Sequence, residues 1–144
     1  MNFILNKNFS ADVYGISGVA VKGKWADTGM KLMNKMWEQV KANNLKHKGI
    51  NIWVYEDGNR MFAGVELESP PPPGTGLELK QVRLPEYVSY KHIGAYDKIG
   101  EAGTLVLEEL RQKGIATRLP YLEIYGHWTP DPSKLETEML WCKA

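Results

Sequence analysis

The chain has one cysteine, Cys142, among its 144 residues, so it cannot form an internal disulfide. A lone thiol is typical of proteins from a reducing compartment. No apolar run approaches the roughly 20 residues that a membrane-spanning helix requires, and the first residues lack the charged-then-apolar pattern of a secretory signal. These absences predict a cytoplasmic protein without a membrane partner.

An excess of charge of either sign is also missing. Lys and Arg total 18 and Asp and Glu total 17, which gives a formal net charge of +1. Such a chain lacks the basic surface that nucleic acid requires, so we expect no direct contact with nucleic acid. His47, His92 and His127 lie far apart and have no metal-ligand spacing with Cys142, and the glycines form no phosphate-binding or nucleophile motif. We predict neither a metal nor another cofactor.

Phenylalanine is scarce, whereas tryptophan and tyrosine are abundant. The chain has three Phe, five Trp and seven Tyr. Trp and Tyr rings carry a polar tip and are favoured where one side of the ring stays wet. This composition favours a cleft lined by aromatic rings, and core rings with satisfied polar tips are the alternative.

Four consecutive prolines at 70–73 divide the sequence into two parts of similar size. Proline cannot join a helix interior or a central strand, so 69–76 is predicted to be a stiff connector. We predict a single domain, 1–144, with pseudo-repeats at about 10–68 and 78–144. The first strands of the two halves are predicted over 16–21 and 87–93, and each half reads as strand, helix, strand, strand. This order indicates an α+β fold: a duplicated βαββ unit with a curved, largely antiparallel sheet, helices on one face and a ligand groove on the other.

Strand alternation assigns side chains to faces. Leu122 and Ile124 share one face of a predicted strand, while Tyr121, Glu123 and Tyr125 share the other. We expect the apolar pair to pack under the helices. The opposite face then carries a carboxylate between two tyrosines.

The same alternation places further aromatics on the face away from the helices, namely Trp53, Tyr55 and Tyr87. Rings attract a planar or amphipathic cation by roughly 0.5–2 kcal/mol each. A carboxylate recessed among rings costs free energy to desolvate, which a bound cation would offset. The alternative is that Glu123 is a surface carboxylate on a half-exposed strand.

Several segments of the second half follow a recognisable pattern. They are the run KHIGAY at 91–96, Leu107, Leu110, Gly114, the run YLEIY at 121–125, Asp131-Pro132 and the run ETEM at 136–139. This pattern resembles the GyrI-like family, the effector-binding domain of AraC/Rob-type regulators and of BmrR-type multidrug sensors. The first half resembles it mainly in its strand order and in the turn Gly23-Lys24-Trp25.

The resemblance implies a ligand groove between the halves, in which a glutamate matching Glu123 meets the positive charge of a drug-like ligand and a tyrosine matching Tyr87 lines the groove. The predicted ligand-binding residues are Glu123, Tyr87, Tyr121, Tyr125, Trp53, Tyr55 and Trp25.

The sequence departs from the regulators because about 15 residues precede the domain, too few for a helix-turn-helix module. We therefore expect a stand-alone sensor or sequestering module, whose regulatory role would require a protein partner in trans. One alternative is a small hydrolase of electrophilic ligands, with Glu123 and one of Glu138, Glu66 and Glu68 as an acid–base pair. Another is a protein-interaction module of the gyrase-inhibitor type.

Overall fold

The computed structural model describes residues 2–144, and within them two helices and six strands make up the regular structure. In chain order they are β1 (Ile4–Val19), α1 (Trp25–Ala42), β2 (His47–Tyr55), β3 (Arg60–Leu67), β4 (Glu78–Ile93), α2 (Ile99–Gln112), β5 (Thr117–Tyr125) and β6 (Glu136–Lys143). Neither helix has both the length and the apolar character needed to cross a bilayer.

The six strands form a closed barrel in the order β1-β3-β2-β5-β6-β4, and every neighbouring pair is antiparallel. The predicted α+β class and antiparallel sheet are therefore confirmed. The sheet goes beyond the expected curvature and closes, because β1 pairs with β3 along one edge and with β4 along the other.

The first strand of each half is longer than predicted. β1 begins at Ile4 and β4 at Glu78, and the two pair continuously from Ile4 opposite Ser89 to Gly15 opposite Glu78, apart from an interruption at Asn8. Alternation between charged and apolar residues in this stretch supports the pairing, since Ala11 and Val82 are buried among polar neighbours. The added length closes the barrel.

The barrel interior is packed by strand residues alone. Its cluster is Ala11, Val13, Ile52, Val54, Phe62, Val82, Leu84, Leu122, Leu140 and Cys142, with Ile124 packed against it. The helices lie outside, where α2 packs on Val88, Met139 and Trp141. The expectation that Leu122 and Ile124 face the helices is therefore wrong. The expectation of a groove on the side of the sheet away from the helices is wrong as well, because that side is the filled barrel interior. In a closed barrel the more apolar face turns inward, and the other face, with Glu123, lies on the helix side.

Helix α1 approaches the sheet closely at a glycine. Gly29 is buried, and a Cβ atom there would lie 2.1 Å from Cζ3 of the Trp53 ring. The two groups cannot share this space, so the glycine is required by the indole beneath it.

We expect Gly29→Ala to destabilise the protein by about 1–3 kcal/mol, because the Trp53 ring must shift. Denaturant unfolding followed by tryptophan fluorescence measures the change. Gly100→Ala is the matched control, since a Cβ there meets no atom within 4 Å and α2 gains a better helix former. Equal stabilities for the two variants would contradict the close approach.

Candidate ligand-binding site

Pairing between β2 and β5 assembles the centre of the site. Trp53 lies opposite Glu123 and Tyr55 opposite Tyr121. These side chains alternate with Ile52, Val54 and Leu122, which point into the barrel, so they point out toward the helices.

Glu123 is buried, with 8% of its surface exposed, and three tyrosine hydroxyls donate hydrogen bonds to its carboxylate. Tyr55 donates to Oε1 at 3.0 Å, Tyr121 donates to Oε2 at 2.7 Å, and Tyr125 also donates to Oε1. Hydrogen bonds to an ionised acceptor are stronger than neutral ones, so the three hydroxyls offset part of the cost of burying the charge. These three hydrogen bonds therefore compensate the burial of the Glu123 carboxylate to a greater extent than the sequence suggested.

Charge compensation at Glu123 comes from the tyrosine hydroxyls. Within residues 2–144, no Lys, Arg or His forms an ion pair with Glu123. Hydroxyl groups solvate a carboxylate but do not neutralise it. The site thus holds a buried acidic group that tyrosine hydroxyls solvate and that no ion pair from the described residues neutralises.

Burial of the phenols and the nearby charge of Glu123 raise the pKa of Tyr55, Tyr121 and Tyr125 far above the ordinary value of 10. Burial is the larger cause for each, because it disfavours the phenolate. The three phenols therefore remain protonated donors in the folded protein.

We expect the free energy of unfolding to fall as the pH rises above about 10. The unfolded chain releases these three protons near its ordinary pKa while the folded chain keeps them, so each tyrosine contributes a slope of about 1.4 kcal/mol per pH unit. The stabilisation is complete below the unfolded pKa and is lost as the pH rises toward the folded one. Urea unfolding over this pH range measures the slope.

The Tyr125→Phe variant provides the control for this experiment. It removes one of the three phenols. The free energy of unfolding should therefore fall less steeply with pH, by about 1.4 kcal/mol per pH unit. A slope equal to that of the unsubstituted protein would show that Tyr125 titrates normally in the folded state.

Aromatic rings surround the hydroxyl cluster. The ring centroids of Trp25 and Tyr55 are 5.6 Å apart, those of Tyr55 and Tyr121 are 5.3 Å apart, and those of Trp53 and Tyr125 are 5.2 Å apart. Edge-to-face and tilted contacts of this kind stabilise ring pairs by about 0.5–1.5 kcal/mol beyond burial. Six of the seven predicted site residues therefore lie in one cluster.

Tyr87 lies elsewhere. Its ring packs edge-on against Phe9, with centroids 5.8 Å apart, beside the barrel core rather than the helices. The tyrosine of β4 that does face α2 is Tyr90, which packs with Val88 in the helix-side cluster. Alternation and the resemblance both assigned Tyr87 to the groove with Glu123, and both were wrong here, because the Tyr87 ring packs against the barrel core instead.

An open cleft of about 450 Å³ lies between α2 and the sheet, and we call it the α2 cleft. Glu123 contributes to its lining, and the other lining residues are Ile99, Gly100, Gly103, Thr104, Leu107, Thr117, Arg118, Leu119, Tyr121, Met139 and Trp141. The buried members Glu123, Met139 and Trp141 form its floor, and exposed Leu107 and Arg118 lie at its rim. The cleft is therefore open to solvent and has the buried Glu123 in its lining.

Sequence analysis missed three aromatic or apolar neighbours of this site. Met139 and Trp141 pair with Glu123 and Tyr121 across β5 and β6, and the centroid of Tyr96 lies 5.6 Å from that of Tyr125. Alternation on β6 could have placed Met139 and Trp141 on the Glu123 face, but only with the β5–β6 register. Nothing in the sequence around Tyr96 indicated its contact.

The acid–base pair of the hydrolase alternative is not assembled. Glu66 forms an ion pair with Lys48 at 3.3 Å, Glu68 is exposed, and Glu138 is exposed next to Met139 on the opposite face of β6. None of the three lines the α2 cleft, whose one acidic lining residue is Glu123. Across the described residues, no group of three or more His, Cys, Asp and Glu side chains could hold a metal ion.

The fold matches solved structures at low sequence identity. The EcmrR C-terminal domain has a TM-score of 0.74 at 15% identity, over 99% of this chain and 97% of that one. SAV2435, solved bound to tetraphenylphosphonium, has a TM-score of 0.66 at 16% identity, over 100% of this chain and 94% of that one. A structure described as a hydrolase from Listeria innocua has a TM-score of 0.60 at 9% identity, over 99% of this chain and 91% of that one.

The chain shares the fold of the EcmrR C-terminal domain. The resemblance to the GyrI-like family is thereby confirmed at the level of fold. No family model and no curated protein matches the sequence. At identities of 15–16%, the likeness concerns the architecture and leaves the chemistry to be argued from the site.

Proposed function

We propose that this protein binds amphipathic, cationic aromatic small molecules in the α2 cleft, with the carboxylate of Glu123 as the charge partner. The observation that carries the proposal is the buried carboxylate at the floor of an apolar cleft, with no ion pair from the described residues. SAV2435, which shares the fold, was solved with a lipophilic cation, tetraphenylphosphonium.

Charge explains why a cation is favoured. A cation in the α2 cleft approaches a carboxylate that is largely shielded from water, where the effective dielectric is lower and attraction is stronger than at the surface. An anion would be repelled by the same carboxylate. A neutral molecule would gain burial alone.

The apolar lining of the α2 cleft explains why the proposed cationic ligand is also amphipathic. Ile99, Met139 and Trp141 supply buried apolar surface, and Tyr121 supplies a ring face. Burial of apolar ligand surface stabilises the complex by roughly 25 cal/mol per Å², and ring faces add cation–π attraction. Such walls favour a ligand that carries apolar or aromatic surface beside its charge.

Arg118 is the basic residue of the cleft lining, and its position limits its effect. The residue is exposed at the rim, and its Nε donates to the carbonyl of Lys143 at 3.4 Å. Solvent and salt screen an exposed charge. We infer that Arg118 does not cancel the preference for cations at the floor.

We also infer that the two halves, about 10–68 and 78–144 within the single domain 1–144, are copies of one βαββ unit joined by the connector 69–76. The equal order of elements supports this inference. The register of the strand pairs supports it too. Trp53 on β2 lies opposite Ala63 on β3, and Glu123 on β5 lies opposite Met139 on β6.

Titration calorimetry tests the proposed function with two cations, 9-aminoacridinium and tetraphenylphosphonium, and with acridine as the neutral match of the first at about pH 8. We expect micromolar binding of a cation and at least about tenfold weaker binding of acridine. Mass spectrometry of the ligand after incubation separates binding from turnover. Absence of binding by both cations, or equal binding of acridine and its cationic match, would contradict the proposal.

A further inference from the structure

The two halves correspond residue by residue, with an offset of 70, from the helix to the following strand. The helices end alike: Leu45 N donates to Val40 O at 3.0 Å, and Ile115 N donates to Leu110 O at 2.9 Å. The residues before these donors, Asn44 and Gly114, have φ of 48° and 71°. The buried helix positions correspond as well: Leu32, Met36 and Val40 with Ala102, Val106 and Leu110.

This correspondence shows why the cleft is open in the second half. Gly103 stands where the first half has Met33, and Leu107 stands where it has Trp37. Met33 and Trp37 both pack against the buried cluster that joins α1 to β3. Smaller residues at the two equivalent positions leave the cleft open, although a Cβ at Gly103 would lie 3.2 Å from Cε of Met139, at the end of a flexible side chain.

Trp37 shows how an aromatic ring lies between helix and sheet at the equivalent place in the first half. Its Nε1 donates to Oδ1 of Asn51 at 2.8 Å, and its centroid lies 4.7 Å from that of His47. Asn51 corresponds to Tyr121, whose hydroxyl donates to Glu123 and keeps a free lone pair on its oxygen. A fused ring bound at the equivalent place in the α2 cleft would lie beside Tyr121, which lines the cleft.

We propose that the α2 cleft selects flat, fused-ring aromatic cations, and that Gly103 and Leu107 set this specificity. The ligand lies where the Trp37 indole lies in the first half, with its charge toward Glu123. The Tyr121 and Trp141 rings, whose centroids are 5.2 Å apart, supply the ring faces against which it packs. This inference rests on the proposed function and narrows its ligand class.

The test rebuilds the first-half arrangement in the second half. Leu107→Trp places an indole at the position equivalent to Trp37, and the site tolerates the larger residue because Leu107 is 41% exposed. Leu105→Trp is the matched control, since Leu105 is 59% exposed on the same helix and does not line the cleft. Gly103→Met is the second variant. Circular dichroism confirms that each variant folds.

Calorimetry with 9-aminoacridinium and tetraphenylphosphonium gives the result. We expect the unsubstituted protein to bind the flat cation about tenfold or more tightly than the phosphonium. Leu107→Trp and Gly103→Met should each weaken 9-aminoacridinium binding by about tenfold or more, whereas Leu105→Trp should leave it unchanged.

The failures of the two proposals are distinguishable. Tetraphenylphosphonium binding as tight as 9-aminoacridinium binding, or unchanged affinity for 9-aminoacridinium in both cleft variants, overturns the flat-ring inference and leaves cation binding standing. Absence of binding by both cations overturns both.

Discussion

Replacing Glu123 by glutamine is expected to weaken binding of a cationic aromatic ligand by about 5- to 150-fold, or about 1–3 kcal/mol, while the fold stays intact. Glutamine keeps the size of the side chain and an acceptor for the tyrosine hydroxyls, and it removes the charge. Binding of neutral acridine should hardly change, because that ligand gains nothing from the carboxylate. Titration calorimetry with both ligands measures the difference.

Glu138→Gln is the matched control for this experiment. It removes the same charge from the neighbouring strand β6, where the side chain is exposed and lies on the opposite face from the cleft. Long-range effects of net charge would appear in both variants, while a direct contact appears in Glu123→Gln alone. Equal affinities for the cation in the two variants would show that Glu123 does not contact it.

Truncating Phe62 to alanine is expected to cost about 3–5 kcal/mol of stability, the largest effect that we predict for the fold. Phe62 is 1% exposed and lies in the barrel interior, where no helix residue contributes to the cluster. The loss combines the transfer free energy of the ring with that of the cavity left behind. Denaturant unfolding at constant pH measures it.

Leu105→Ala serves as the comparison, since this leucine is 59% exposed on the outer side of α2. Its truncation should change the free energy of unfolding by no more than about 0.5 kcal/mol. A Phe62→Ala variant as stable as Leu105→Ala would mean that the barrel interior is not the main core.

Local alternation placed the right residues together. Tyr121, Glu123 and Tyr125 share a face because side chains alternate with a period of two, and this period depends on neighbouring residues alone. Trp53 and Tyr55 follow by the same rule, and their pairing with Glu123 and Tyr121 brings both sets to one place.

The side on which the helices lie could not be derived in this way. It depends on closure of the barrel, which requires β1 and β4 to pair across more than 60 residues of sequence, from Gly15 with Glu78 to Ile4 with Ser89. An open sheet would pack its apolar face under helices, as the sequence analysis assumed. A closed one fills its interior with that face and exposes the other to the helices.

The register of the strand pairs also could not be derived from the sequence. Trp141 and Met139 reach the site through the β5–β6 pairing, and Tyr96 reaches it from the turn before α2 through its contact with Tyr125. Tyr87, the one predicted residue outside the cluster, was assigned by alternation as well as by resemblance, and the structure places it against the barrel core. Long-range pairing decides such positions, and no local pattern encodes it.

A crystal structure with a bound cationic aromatic ligand tests the central claim most directly. We predict ligand density in the α2 cleft, with the positively charged group within about 5 Å of the Glu123 carboxylate. Density beside Tyr87 at the barrel end, or a ligand whose charge points to bulk solvent away from Glu123, would contradict the account.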